Sequence, residues 1–308
     1  MNTQSNRVSQ SFEANRNAPA VMSATRPIYW SIRREFWENR YLYIAPLAVA
    51  AVFLFGFLIS SIHSPGQLRA LLSLETAHNH EEISGPFDIS AALLMGTAIL
   101  MSLFYCADAL HGERRDRSIL FWKSLPVSDA TTVLVKASIP LLILPVLVSA
   151  ITAAMQFFML LLSSIVLLGT GGNVATLWAH LPIFRMSLLT LYHLLTAHAL
   201  WPAPVYCWLL LVSGWARRAT FLWAALPIIA IGGLEKIAFN STHFVALVGS
   251  RFIGSTATIA STDVFPSNPM THITPAAFLG APGLWIGLAV AAAFLAAAIR
   301  LRRYQGPI

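Results

Sequence analysis

The chain has 308 residues, of which 56% are hydrophobic and only 11% are charged. Because soluble domains carry about 25% charged residues, this composition excludes an ordinary soluble protein and indicates a bilayer protein. The formal net charge is +7 at pH 7. A basic balance can reflect nucleic-acid binding or a membrane surface, so the distribution of the charges must decide. Cys106 and Cys207 lie in apolar stretches, where we expect buried thiols and no disulfide.

Residues 1–40 form a polar segment without the apolar core of a cleaved signal peptide. We predict that this N-terminal tail is cytoplasmic. Within it, Pro27–Glu38 has apolar residues on one helical stripe and Arg34 and Glu38 on another. The apolar stripe consists of Tyr29, Ile32 and Phe36. The pattern predicts a helix at the membrane interface. A simple cytoplasmic extension of the first span is the alternative.

Six apolar segments are long enough to cross a membrane, since about 20 helical residues span a hydrocarbon core of about 30 Å. The predicted spans are Tyr41 to Ile62, Phe87 to Leu110, Ala137 to Leu168, Leu188 to Ser213, Thr220 to Phe239, and Phe278 to Ile299. Pro140 and Pro145 predict a kinked or tilted third helix that begins outside the bilayer. The expected fold is therefore all-α and polytopic, with residues 41–308 forming a six-helix transmembrane domain after the tail.

The lysine and arginine residues divide unevenly between the two sides of this topology. Sixteen lie in the tail, in the segments between spans two and three and between spans four and five, and at the C-terminus, whereas four lie on the other side. Basic loops resist translocation, so both termini are predicted to be cytoplasmic, in a plasma (inner) membrane. The same asymmetry explains the basic charge without nucleic acid, which we exclude as a partner. The predicted external connections are residues 63–86, 169–187 and 240–277.

The third external connection, residues 240–277, mixes a short apolar run with several glycines and prolines. The run Phe244–Val248 is too short to cross a membrane. A re-entrant or membrane-lying segment, buried against the helices, would keep its backbone hydrogen-bonded. An ordinary external loop with a small packed core remains the alternative.

The loop after the second span has the most specific pattern in the chain. It reads HGERRDRSILFWKSLPVSD from His111. Glu113 and Arg117 are four residues apart, which favours a helix at its start. Pro126 is expected to end that helix, because the residue before proline avoids the α region. Ser128 is a good N-cap for a second helix that begins near Asp129 and continues into the third span.

Residues 113–129, followed by Lys136, resemble the loop between the second and third spans of the ABC-2 type permease family. Members of that family also have an N-terminal interfacial helix, six spans and a longer external connection before the last span. Many of them carry a Gly-Thr pair ahead of an acidic residue in this loop, where this chain has Asp116-Arg117-Ser118. The close match covers about 24 residues, and the rest of the resemblance is one of layout.

The resemblance implies that this loop contains a coupling helix that docks into a groove of a separate ATP-binding subunit. The implied helix runs from Glu113 to Lys123. Its expected contact residues are Glu113, Arg114, Asp116, Arg117 and Lys123, with Phe121 and Trp122 as apolar anchors. The chain would then be a permease, more often an exporter in this family, acting as two copies or with a related permease. A solvated charge run beside a membrane anchor is the alternative.

The chain lacks the residues of an ATPase. No Gly-x-x-x-x-Gly-Lys-Ser/Thr string occurs, and the nearest cluster, residues 169–172, has no lysine and reads as a turn. We therefore expect no cofactor on this chain, with ATP and Mg²⁺ bound by the partner. No nucleophile and base set or metal motif supports an enzyme. His78, His80, Glu81 and Glu82 are read as a solvated external loop rather than a metal site.

Two histidines lie within the predicted fourth span. His193 and His198 are five residues apart, which in a regular α-helix places them on different faces. They could line a substrate path, although histidines satisfied inside a helical bundle are commoner. An ion- or proton-coupled secondary carrier is the competing function. Such a carrier should have buried acids in its spans, and here Asp108 and Glu235 lie near span ends.

Overall fold

A computed structural model describes residues 25–63, 77–123, 127–253 and 275–304. All regular structure within these residues is helical, and six helical segments among them are long and apolar enough to cross a membrane. The predicted all-α polytopic fold is confirmed. The tail up to residue 24 and residues 254–274 of the last external connection lie outside the described ranges.

The helices are numbered in chain order. They are α1 (Thr25–Glu38), α2 (Tyr41–His63), α3 (Ala77–Asp108), α4 (His111–Arg115), α5 (Ser118–Lys123), α6 (Asp129–Ser138), α7 (Leu144–Gly169), α8 (Val174–His180), α9 (Ile183–Leu195), α10 (Ala203–Trp215), α11 (Thr220–Phe239), α12 (His243–Ile253), α13 (Pro275–Gly280) and α14 (Pro282–Tyr304). Two segments are π-helical. The first, Ile139–Ile143, joins α6 to α7, and the second, Thr196–Leu200, follows α9.

The second spanning helix begins earlier than the sequence predicted. It starts at Ala77 rather than Phe87, so part of the predicted external connection 63–86 is helical. Ile83 and Phe87 are both buried against the rest of the bundle. This packing extends the helix through Pro86, which the sequence pattern alone had placed in the connection.

The predicted fourth span is interrupted. Instead of one helix from Leu188 to Ser213, the chain forms α9, a π-helical segment, a turn at Trp201 and Pro202, and then α10. Proline lacks the N–H that an α-helix needs at interior positions, so Pro202 and Pro204 favour a break here. By length and composition, Val174–Leu200, which contains α8, α9 and the π-helical segment, is the candidate span, and α10 is a shorter apolar helix.

Helix α3 lies at the centre of the bundle, where it packs against α2, α7, α10 and α11. Helix α14 packs along α10, and α9 packs along α7. The two π-helical segments also contact one another and α3. The buried side chains at these contacts are mostly apolar, and Leu94, Met159 and Leu210 are fully enclosed. Many other large apolar side chains lie on the outer surface of the bundle, as expected of a protein that faces lipid.

Helix α12 folds back from α11 within the predicted connection 240–277. The Glu235 carboxylate accepts hydrogen bonds from the backbone N–H groups of His243 and Phe244, at 2.8 and 2.9 Å. At the other end of α12, the Arg251 guanidinium lies 4.8 Å from the centroid of the Trp201 ring and donates to the Gly283 carbonyl. Helix α12 therefore joins α11 to the break before α10 and to the start of α14. Whether it enters the bilayer stays a prediction.

Candidate functional site

The loop between α3 and α6 forms two short helices rather than the single one expected. Helices α4 and α5 are separated at Asp116 and Arg117, and Arg117 has a left-handed backbone with φ of 58°. The predicted Ser128 cap and the helix after it are confirmed: the Ser128 hydroxyl accepts a hydrogen bond from the Thr131 N–H at 3.0 Å, and α6 begins at Asp129. Residues 124–126, including the predicted stop at Pro126, lie outside the described ranges.

Glu113, on α4, is the centre of a buried group of charged side chains that we call the ion cluster. Its carboxylate accepts hydrogen bonds from Arg34 on α1, at 2.9 Å, and from Arg302 on α14. The Lys136 ammonium on α6 lies 3.2 Å away. Arg302 also donates to Asp129 at the start of α6, at 3.2 Å. One carboxylate thus joins α4 to three other elements.

Glu35 is the second buried acid of the ion cluster. It is fully buried, 2.9 Å from the Lys136 ammonium and 2.8 Å from the Tyr105 hydroxyl on α3, which donates to it. Arg34 lies 2.8 Å from the same carboxylate. Burial alone would raise the pKa of Glu35, but Lys136 and Arg34, with the Tyr105 hydroxyl, hold that pKa below its usual 4.5. Glu35 is therefore ionised at neutral pH.

Apart from the half-exposed Glu38, which lies 3.6 Å from Arg34, the charges of the ion cluster balance. Arg34, Lys136 and Arg302 bring three positive charges, which face the carboxylates of Glu35, Glu113 and Asp129. Removing charges from water costs several kcal/mol per ion, so such groups persist only when paired and hydrogen-bonded. The cluster therefore holds its four elements in one specific arrangement, and each member depends on the others.

Helix α4 is also fastened to the end of α10. The Arg114 guanidinium donates to the carbonyls of Gly214, at 2.6 Å, and Ala216, at 3.3 Å. The Leu110 N–H donates to the Ser213 hydroxyl at 3.0 Å. Carbonyls at a helix C-terminus lack partners within the helix and carry partial negative charge, so a cation is favourable there. Arg114 thus satisfies the Gly214 carbonyl and shares the Ala216 carbonyl with the His111 ring, whose Nδ1 lies 3.2 Å from it.

The residues that the resemblance assigned to a partner contact fall into two groups. Glu113 and Arg114 are buried and hold contacts within the chain, as described above. Asp116, Arg117 and Lys123 are exposed, and Phe121 is 61% exposed. The Trp122 side chain lies outside the described part of the structure. A single predicted surface is thus divided into an inner side that faces the bundle and an outer side that faces away.

Sequence reasoning missed two members of the ion cluster and the tyrosine that donates to it. Glu35, Tyr105 and Arg302 come from three distant segments, and nothing in their local pattern indicates that they meet. One signal was available: Lys136 stands alone among Val133, Leu134, Val135 and Ala137, and an isolated lysine among apolar residues needs a buried carboxylate.

The two histidines of the fourth span are linked by a contact between the ring of one and the backbone of the other. The His198 Nδ1 lies 3.3 Å from the His193 carbonyl, because His198 belongs to the π-helical segment, in which residues five apart are brought together. His193 is buried, and its Nε2 has no hydrogen-bond partner among the described residues.

No group of three or more His, Cys, Asp or Glu side chains that could hold a metal ion occurs in the described ranges. The side chains of His78, His80, Glu81 and Glu82 lie outside them.

The fold is that of a polytopic all-α membrane protein, and the ion cluster joins the loop after the second span to the helical bundle. Six apolar helices suggest a membrane transport protein. The chain matches no protein-family model, no curated protein and no solved structure.

Proposed function

We propose that this chain is the permease subunit of an ATP-binding-cassette transporter, an exporter that moves a substrate across the plasma membrane. ATP and Mg²⁺ are bound by a separate ATP-binding subunit, and the chain pairs with a second copy or a related permease around the path. The resemblance of residues 113–129 to the ABC-2 loop supports the proposal. The observation that carries it is the two-sided construction of α4 and α5.

Helix α5 has one side suited to the bundle and one suited to a partner. Ile119 is 1% exposed, whereas Leu120 and Phe121 are 59% and 61% exposed. The exposed pair is flanked by the exposed charges Asp116 and Arg117. Large apolar side chains with a polar rim are typical of protein interfaces, in which aromatic anchors contribute most of the affinity. The outer side of α5 is therefore our candidate for the surface that an ATPase contacts.

Helix α4 supplies the mechanical connection from that surface to the spans. Glu113 joins it to α1, α6 and α14, and Arg114 joins it to α10. A displacement of α5 is transmitted through α4 to all of these elements at once, because buried ion pairs resist separation. In this proposal Glu113 and Arg114 transmit force, while Asp116, Arg117, Phe121, Trp122 and Lys123 form the partner contact.

The test is affinity purification of the tagged chain in mild detergent, with identification of a co-purifying subunit that carries a phosphate-binding loop. Phe121→Ala should reduce its recovery about thirtyfold, the equivalent of about 2 kcal/mol for an aromatic anchor. Asp116→Ala and Arg117→Ala should each have small effects, because exposed ion pairs contribute about 0–1 kcal/mol. Phe158→Ala, at an outward position on α7, is the matched control. Equal recovery for Phe121→Ala and the parent chain would refute this contact surface.

A secondary carrier remains the second candidate, and one observation favours it. The Gln156 Oε1, the Tyr192 hydroxyl and the His193 Nε2 are buried without hydrogen-bond partners among the described residues. Unsatisfied polar atoms inside a membrane bundle are candidates for solute contact. Proteoliposomes containing the chain alone separate the two functions: a proton flux that His193→Ala abolishes would favour the carrier, and its absence would favour the permease.

A further inference from the structure

The outward face of α1 carries an arginine held between two tryptophans. The Arg33 guanidinium carbon lies 5.3 Å from the centroid of the Trp30 ring and 5.2 Å from that of Trp37. The two indoles are 57% and 69% exposed, and Arg33 is exposed as well. A cation within about 6 Å of an aromatic centroid is attracted to the ring face. The two indoles of the same helix thus favour this position of the guanidinium before any ligand binds.

The opposite face of α1 is anchored in the ion cluster. At 100° per residue, Glu35 lies roughly 170° around the helix from the centre of the Trp30, Arg33 and Trp37 face. Since Glu35 is fully buried against Lys136, α1 cannot roll about its axis without breaking that pair. Only two residues, 39 and 40, separate α1 from α2. The aromatic and basic face is therefore held outward beside the entry of the first spanning helix.

Arg33 also has unused hydrogen-bonding capacity. Among the described residues it makes no hydrogen bond or ion pair, whereas the neighbouring Arg34 contacts Glu35, Glu38 and Glu113. Guanidinium groups present five N–H donors in a planar fork that matches two oxygens of a phosphate. Indole rings prefer the headgroup layer of a bilayer, where one edge is wet and the body is apolar.

We propose that Trp30, Arg33 and Trp37 form a binding site for the phosphate of an anionic phospholipid headgroup. The charge of Arg33, and of the exposed Arg40 nearby, complements an anionic leaflet. The site's position beside α2 favours lipid over an acidic peptide, because a headgroup is present there wherever the span crosses. The inference depends on the membrane fold and not on the proposed ATP-driven transport.

The test uses the full chain in neutral detergent micelles doped with phosphatidylglycerol or phosphatidylcholine of matched acyl chains, with bound lipid counted by native mass spectrometry. The parent chain should retain phosphatidylglycerol preferentially. Arg33→Gln should lower its binding about fivefold, the size of one basic contact with an anionic leaflet. Arg303→Gln removes another exposed charge, which has no flanking tryptophans, and should change binding less. Equal losses in the two variants would overturn the site.

Two further arms keep the result decisive. Arg33→Lys keeps the charge but loses the planar N–H donors of the guanidinium, and it should bind phosphatidylglycerol less well than the parent chain. Unchanged binding would mean that only general charge attraction acts here, and it would refute the site. Inorganic phosphate should displace the lipid no better than chloride of the same ionic strength, and selective displacement would mean a free-phosphate site instead. If Arg33→Gln does not elute as a single species, the Trp30→Leu and Trp37→Leu double variant replaces it, with the same loss expected.

Discussion

The Lys136 ammonium and the Glu35 carboxylate lie 2.9 Å apart with both side chains almost completely buried, joining α1 to the start of the third span. The pair is the deepest part of the ion cluster, and Tyr105 and Arg34 complete its hydrogen bonds. Because a half-broken buried pair leaves an uncompensated charge, the two residues should behave as a unit.

The first prediction follows from that unit. Lys136→Met should destabilise the chain by about 3–5 kcal/mol, because Glu35 and Glu113 lose a buried partner. Adding Glu35→Gln to Lys136→Met should recover part of the loss, since one orphaned charge is removed. Lys123→Met, at an exposed position, should stay within about 0.5 kcal/mol of the parent. Thermal unfolding in detergent measures all three, and equal effects of the two lysine variants would contradict the cluster.

The second prediction concerns pH. The depressed pKa of Glu35 means that its ionised form stabilises the fold at pH values above the usual 4.5, and that this stabilisation is lost as the pH falls through the lower folded value. The melting temperature should therefore drop on acidification below about pH 4.5. Glu35→Gln should be less stable than the parent at neutral pH and should lose less on acidification.

The third prediction is the orientation in the membrane, which rests on the uneven distribution of basic residues. Single cysteines at Ser128 and Tyr304 should react with an impermeant maleimide only after the membrane is opened, and a cysteine at Asn173 should react in intact cells. Cys106 and Cys207 are fully buried, so the native background should be low. Labelling of position 128 in intact cells would reverse the assigned topology.

The fourth prediction uses two adjacent glycines on α11. A Cβ at Gly232 would lie 2.4 Å from the Val245 Cγ2 on α12, whereas a Cβ at Gly233 meets no atom within 4 Å. Gly233→Ala should stabilise the helix by up to about 1 kcal/mol through better helix propensity. Gly232→Ala should destabilise by about 1–3 kcal/mol, because the branched Val245 cannot move away cheaply. Thermal unfolding distinguishes them, and equal shifts would mean that α12 does not pack here.

The sequence was sufficient for the features that depend on local pattern. Span length and hydropathy located six apolar segments, and the Ser128 cap and the start of α6 at Asp129 followed from short-range hydrogen-bonding rules. The same rules could not show that Glu113 faces inward, because its burial depends on Arg34 and Arg302, which are 79 and 189 residues away. Likewise, the break between α4 and α5 depends on a left-handed Arg117, a conformation that arginine does not favour by itself.

The π-helical segment Ile139–Ile143 determines the directions in which the side chains of the third span point on either side of it. A π-turn contains one residue more than an α-turn, so the segment Ile139–Ile143 offsets α7, which follows it directly, by about 100° relative to an uninterrupted α-helix. Deleting one residue from Ile139–Ile143 should restore the α-helical register and turn Lys136 away from Glu35 while α7 stays packed. The third span thus keeps Lys136 turned toward Glu35 while α7 packs against the bundle.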